Sequence, residues 1–213
     1  MGTVEYGHHW RNLRRIKALE IFSSPRLTSL FSIRREEVMV LLRRLRGVSK
    51  HGNYAKVELR SMLLDLTSNI IMRMVAGKRY YGWVDITGHL KKLDRLSKKM
   101  DVFLQGLVDE HRDDRDRNTM INRFLALQEE QPEYYTDDII KGHVLVFLLG
   151  GTETVATSME WALANLFNHP DVLRKAKAEL DAQVGDRLID ESDFAKLNYL
   201  QSIIYRRICV HVR

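Results

Sequence analysis

An apolar helical stretch in the middle of this chain breaks into Gly150-Gly151-Thr152-Glu153-Thr154 and then resumes. It is entered through Val144-Leu145-Val146-Phe147-Leu148-Leu149 and left through Val155-Ala156-Thr157-Ser158-Met159-Glu160-Trp161-Ala162-Leu163. Adjacent glycines inside a helix cost roughly 1 kcal/mol each relative to alanine. A carboxylate and hydroxyls beside them are costly to bury without partners. One reading is a place where a flat ligand approaches bare backbone and protons are handled. The other is a loop between two shorter helices, with Thr152 as the N-cap of the second. Local pattern does not choose between them.

The wider context favours a site. Thr136 is a good N-cap, Asp137 and Asp138 put negative charge in a first turn, and Pro170 closes the segment. A helix from Asp137 to Asn168 would be roughly 48 Å long, enough to cross a domain. Its centre falls near the glycine pair.

These residues carry a resemblance. Gly150-Gly151-Thr152-Glu153-Thr154 resembles the (Ala/Gly)-Gly-x-(Asp/Glu)-Thr signature in the long central helix of the cytochrome P450 family, the haem-thiolate monooxygenases. The flanking Glu160-Trp161-Ala162-Leu163-Ala164-Asn165-Leu166 and Asn168-His169-Pro170 resemble its plant microsomal branch. Near the start, His9-Trp10-Arg11-Asn12-Leu13-Arg14-Arg15 is similar to the family's Trp-x-x-x-Arg helix. The likeness runs from about Tyr6 to Tyr205, in the right order.

Composition agrees. The chain has 213 residues, 45% hydrophobic and 29% charged, which suits a packed core and excludes general disorder. No run of 18 apolar residues occurs and no signal-peptide pattern opens the sequence, so no transmembrane segment or anchor is expected in this chain. Of the +6 formal charge, residues 1–50 hold 11 Lys/Arg against four Asp/Glu. Read cold, an arginine-rich segment suggests an acidic partner. Its aromatics (Tyr6, Trp10, Phe22, Phe31) are too sparse for a stacking platform, and no nucleic-acid motif is present, so no nucleic-acid partner is expected. Solvated helix faces account for much of it. The resemblance implies a better partner, an acidic reductase docked on a basic surface.

The rest of the chain reads as helical. Gly7 to Phe22 forms one amphipathic helix, stopped by Ser23-Ser24-Pro25. Ser32 caps a helix from Arg34 to Arg46 that ends at Gly47. A third runs from Val57 to Val75 and closes at Gly77. Gly88–His111 and Thr119–Glu130 follow, then Pro170 to Val184 closed by Gly185, and a last helix from Asp193 to Tyr205. With only three prolines and few β-branched alternations, no substantial sheet is expected. The expected fold class is mainly α, and the resemblance makes it a fragment of the cytochrome P450 fold around one long central helix.

Two departures from the family stand out. Lys78-Arg79-Tyr80-Tyr81-Gly82 runs directly into Trp83-Val84-Asp85, where relatives interpose a helix and a long loop over the substrate pocket. At the other end, Leu197-Asn198-Tyr199-Leu200-Gln201-Ser202-Ile203-Ile204-Tyr205 leads to the family's Glu-x-x-Arg helix, but Arg206 stands at the glutamate and Cys209 at the arginine. Residues 206–213 match nothing in the family. The expected organisation is a partial domain over 1–205, gapped at about 82/83, with an unrelated tail.

The resemblance implies haem held by a cysteine thiolate. The single cysteine, Cys209, lacks the glycine-rich, arginine-containing turn of a haem cysteine and reads as a free thiol in a reducing compartment. His8 and His9 are adjacent and diverge on a helix, and no His-x-x-x-His pair occurs, so no metal ligand is assigned. In an intact relative, NADPH-derived electrons arrive through the reductase and one atom of O2 enters a small organic substrate. The resemblance then makes Glu153 and Thr154 the catalytic pair, with Glu153 bringing protons and Thr154 offering a hydrogen bond on the distal side. Gly150 and Gly151 let backbone lie over the porphyrin, and Trp10 and Arg14 donate to a haem propionate. Without the second motif, Trp10 and Arg14 read equally as a core aromatic and a surface cation, and Glu153 as a solvated helix break. The chain is expected to be poorly folded alone and inactive without the thiolate loop. The alternative is a non-enzymatic helical interaction or decoy module of the same ancestry. The intact family sits on the cytoplasmic face of the endoplasmic reticulum membrane; a chain without its anchor would be cytoplasmic.

Overall fold

The computed structural model describes residues 6–48, 56–79, 93–115 and 117–210. Among these residues the chain is helical, with no strand. The helices are α1 (His8–Ile16), α2 (Ser24–Ser29), α3 (Phe31–Val48), α4 (Leu59–Ala76), α5 (Leu93–Asp113), α6 (Met120–Glu130), α7 (Asp137–Asn168), α8 (Pro170–Gln183) and α9 (Asn198–Val210). A π-helical turn, Lys17–Ile21, extends α1, and a 3-10 turn, Glu191–Lys196, precedes α9. The mainly α fold class expected from sequence is the one observed.

Several boundaries differ from the sequence reading. The expected first helix is α1 plus the π-helical turn. The first helix does end before Ser23-Ser24-Pro25, as expected, but Pro25 then sits in the first turn of a further short helix, α2, where its missing N–H costs nothing. Ser32 lies inside α3, which begins one residue earlier, and Gly47 continues that helix. The expected helix from Asp193 is divided: Asp190 and Asp193 form a capping box around the 3-10 turn, fully buried Leu197 follows, and α9 starts afresh at Asn198. The junction at 82/83 and residues 88–92 lie outside the described residues.

The chain divides into two compact units, residues 1–153 and 154–213. In the first, α3 packs on α4, and α6 packs on both α4 and α5. Ile16, Ile21, Met72, Val75, Val108, Ile121, Phe124, Ile140, Val144 and Leu148 form its core. Gly77 ends α4 with φ +68°, and a Cβ there would sit 3.1 Å from Cγ2 of Thr119. Both the left-handed backbone and the contact therefore call for glycine. Buried Glu37 of α3 accepts from Arg73 Nη1 at 2.7 Å and Arg79 Nε at 2.9 Å, tying α3 to the end of α4.

In the second unit, Glu179 of α8 accepts from the backbone N–H groups of Tyr199 and Leu200 at 2.8 and 2.9 Å. This places a carboxylate on the first-turn donors of α9. Arg187 grips Asp193 with both terminal nitrogens at 2.7 Å. Gly185 closes α8 with φ +68°.

Candidate functional site

Helix α7 is unbroken from Asp137 to Asn168, so the glycine pair is neither a turn nor a loop. Gly150 and Gly151 are absent from the positive-φ glycines. Thr152 does not cap a second helix. It is buried, and its Oγ1 donates to the carbonyl of Leu148 at 2.8 Å, one turn back. That bond satisfies the hydroxyl within α7 and removes the cost that a polar residue would otherwise impose there.

The N-terminal end of α7 is held by a dense polar cluster. The Asp137 carboxylate accepts from Arg112 at 2.5 and 3.0 Å, from Gln128 at 3.0 Å and from Gln105 at 3.0 Å. The Arg112 hydrogen bonds, then the one from Gln128, hold its pKa well below the usual carboxylate range. Further along, Ile140, Val144 and Leu148 line the core of the first unit. By length and composition α7 could cross a membrane. That core face, together with buried His143 and Thr152, gives it the character of a core helix.

Another side of α7 is open. Gly142, Val146, Leu149, Gly150 and Glu153 are exposed, at the spacing of one helical stripe. Val146 and Leu149 keep 44% and 51% of their surface accessible, which is unusual for apolar residues on a central helix. At Gly150 an added Cβ would meet nothing within 4 Å. Thr154, exposed and four residues on, falls on the same line of α7. Gly151 differs: an added Cβ would lie 2.9 Å from Cδ1 and 3.3 Å from Cγ1 of Ile71 on α4. Of the two glycines, only Gly150 has open space where a side chain would stand. Glu153 is exposed, with an oxygen 3.7 Å from Arg60 Nη2 on α4.

On α1 the structure brings Trp10 and Arg14 together, the Arg14 guanidinium lying 5.4 Å from the Trp10 ring centre. Tyr6 adds a ring 4.9 Å from Trp10. This column stiffens an otherwise mobile arginine. The π-helical extension of α1 is anchored on α7, where Lys17 Nζ lies 5.4 Å from the Phe147 ring and Phe22 packs edge-on against that ring at 5.6 Å. Burial lowers the pKa of Lys17. Sequence reasoning missed Ile71, Arg60, Lys17 and Phe147, because each acts through a neighbour on another element.

Residues 81–205 match the sequence model of the family described as Cytochrome P450. The chain belongs to the cytochrome P450 family. It is 46% identical to cytochrome P450 81E8 of Medicago truncatula over 97% of this chain and 49% of that protein. It is 45% identical to the isoflavone 2'-hydroxylase of Glycyrrhiza echinata, over 96% of this chain and 49% of that protein. The isoflavone 3'-hydroxylase of Medicago truncatula is 40% identical, over 99% and 51%. A zebrafish cytochrome P450 solved with abiraterone superposes with a TM-score of 0.80, over 94% of this chain and 52% of that one, at 23% identity. The chain spans about half the length of the curated relatives it matches.

The cofactor of this family is haem. The residues present fit such a group in two respects. The open stripe of α7 is apolar and interrupted by bare backbone at Gly150, which suits the approach of a flat macrocycle. The Trp10–Arg14 column offers an indole N–H and a guanidinium, donors matched to a carboxylate such as a propionate. Cys209 lies in α9, and its side chain falls outside the described residues.

Proposed function

We propose that this chain is the haem-facing, distal part of a monooxygenase that inserts one atom of O2 into a small organic substrate with NADPH-derived electrons. The observation that carries the reading is the unbroken α7 whose exposed stripe is bare at Gly150. Haem supplies the oxygen activation when bound. The chain's own residues do the rest. Gly150, with open space where a side chain would stand, would leave room for the macrocycle beside the helix. Val146 and Leu149 give that face an apolar lining that excludes water. Thr154 offers a hydroxyl one turn beyond Gly150, and Glu153, in contact with solvent, relays protons toward it. Trp10 and Arg14 orient the group by its carboxylates.

The relatives named as isoflavone hydroxylases make a flat phenolic compound the first substrate to try. A reductase partner and the cytoplasmic face of the endoplasmic reticulum membrane belong to the same proposal for the intact protein. So does the organisation with a partial domain over 1–205, a gap near 82/83 and a divergent tail from 206. The alignment with the Medicago protein extends over 246 positions, more than the 213 residues of this chain, which supports a segment present there and missing here.

These 213 residues alone are proposed to bind haem weakly and to show no turnover, since Cys209 has none of the sequence surroundings of a thiolate ligand. The test is a haem titration of the purified chain followed by absorbance, with a carbon monoxide difference spectrum. Saturable uptake without a thiolate-type carbon monoxide band supports the reading. Absence of uptake favours the interaction-module alternative. Hydroxylated product that depends on NADPH and reductase, and is lost in Thr154→Ala, would overturn the inactivity.

A further inference from the structure

We propose that Ile71 is a positioning residue: it seats in the notch at Gly151, fixing α7 against α4 so that Gly150 presents its bare backbone to the ligand. The inference rests on the reading above that Gly150 faces a macrocycle.

Neighbouring glycines on one helix meet opposite surroundings. A Cβ on Gly150 would find nothing within 4 Å, whereas one on Gly151 would stand 2.9 Å from Ile71 Cδ1 and 3.3 Å from its Cγ1. Real Cβ atoms essentially never come as close as 2.9 Å, and 3.3 Å is tighter than most of their contacts. Isoleucine inside a helix is stiff at χ1, which holds Cγ1 in place, so the 2.9 Å contact is relieved only by turning Cδ1 aside about χ2 or by a shift of α7. Ile71 is partly buried against the core of the first unit, which narrows the room for Cδ1 to turn and leaves a shift of α7 as the alternative. The two glycines are therefore separable. Gly151 is a helix-packing residue, and its partner Ile71 acts on the ligand only through the placement of α7. Were the pair simply a flexible break, alanine at either position would stabilise the helix by propensity alone.

Gly150→Ala, Gly151→Ala, Ile71→Val and the double variant Gly151→Ala/Ile71→Val are melted and titrated with haem. Ile71→Val removes Cδ1 and keeps the branched Cβ. We expect Gly151→Ala to lower Tm by about 5 °C, the scale of modest overpacking in a chain of this size, and to weaken haem binding although residue 151 does not face the ligand. The double variant recovers both, to the level of Ile71→Val. Gly150→Ala leaves Tm unchanged or higher and weakens haem binding about tenfold, about 1.4 kcal/mol. If Gly151→Ala does not fold, recovery of a folded, haem-binding double variant supports the proposal and failure to recover overturns it. A Tm that rises in Gly151→Ala as in Gly150→Ala overturns it outright. Haem binding indifferent to Gly151→Ala overturns the positioning role alone. No uptake by the unmutated chain overturns the functional reading and the positioning role together.

Discussion

Two of the carboxylates on helix α7 stand in opposite settings. Asp137, at its start, is gripped by Arg112, Gln105 and Gln128. Glu153, past its middle, is exposed, with Arg60 at 3.7 Å. The first arrangement fixes one end of the helix to α5 and α6. The second leaves a charged group in contact with water, beside the backbone left bare at Gly150. A carboxylate that anchors is surrounded by donors; one that exchanges protons has to be reachable.

The sharpest way to break this comparison is to remove each anchor. Arg112→Ala or Asp137→Ala deletes charge-assisted hydrogen bonds, and the expected loss is about 2 kcal/mol, read from urea unfolding. At the other carboxylate, an effect below about 0.5 kcal/mol is expected for Glu153→Gln or Arg60→Ala, as for other exposed ion pairs. Equal losses at both would erase the distinction.

Acid should separate the regions next. His111 of α5 is fully buried; its Nδ1–H donates to the Leu107 carbonyl at 2.7 Å, and its Nε2 has no hydrogen-bond partner among the described residues. Burial lowers its pKa below the ordinary 6.5, with Glu110 opposing and Arg117 and Lys78 reinforcing. The folded state thus binds fewer protons than the unfolded one. Stability falls as pH drops below about 6.5 and levels off beneath the folded pKa. Melts between pH 7.5 and 5 should show this slope, and His111→Leu should flatten it.

A smaller effect belongs to the second unit. The Arg187 grip, then the backbone N–H of Asp190, lower the Asp193 pKa to about 2. A depressed aspartate stabilises above its ordinary value of about 3.8, and that contribution is lost as pH falls from about 4 to about 2. Asp193→Asn should remove this acid-dependent step while leaving the His111 slope in place, so the two steps report on different parts of the chain.

Much of α7 was legible in the sequence. Thr136 and Pro170 punctuate it by backbone chemistry that acts locally, and the helix begins and ends where they require. The Trp10–Arg14 pairing follows from four-residue spacing on one helix. The glycine pair was legible only as a pair. Which glycine opens to solvent depends on Ile71 of α4, and no local pattern reports a neighbour on another helix. The same holds for Asp137, a plausible first-turn acid whose partners come from α5 and α6. The divided final helix escaped because buried Leu197 and the Glu179 cap on α9 are tertiary features that outweigh helix propensity.

The central claim is that α7 runs unbroken through Gly150-Gly151 while keeping one side open. Hydrogen exchange followed by mass spectrometry, on overlapping peptides across residues 137–168 of the purified chain, tests it most directly. The account predicts protection that continues through 149–154, weaker than at buried Ile140 to Leu148 but well above that of an unstructured loop. Fast exchange confined to 149–153, with slow segments on either side, would mean two helices joined by a loop and would contradict it.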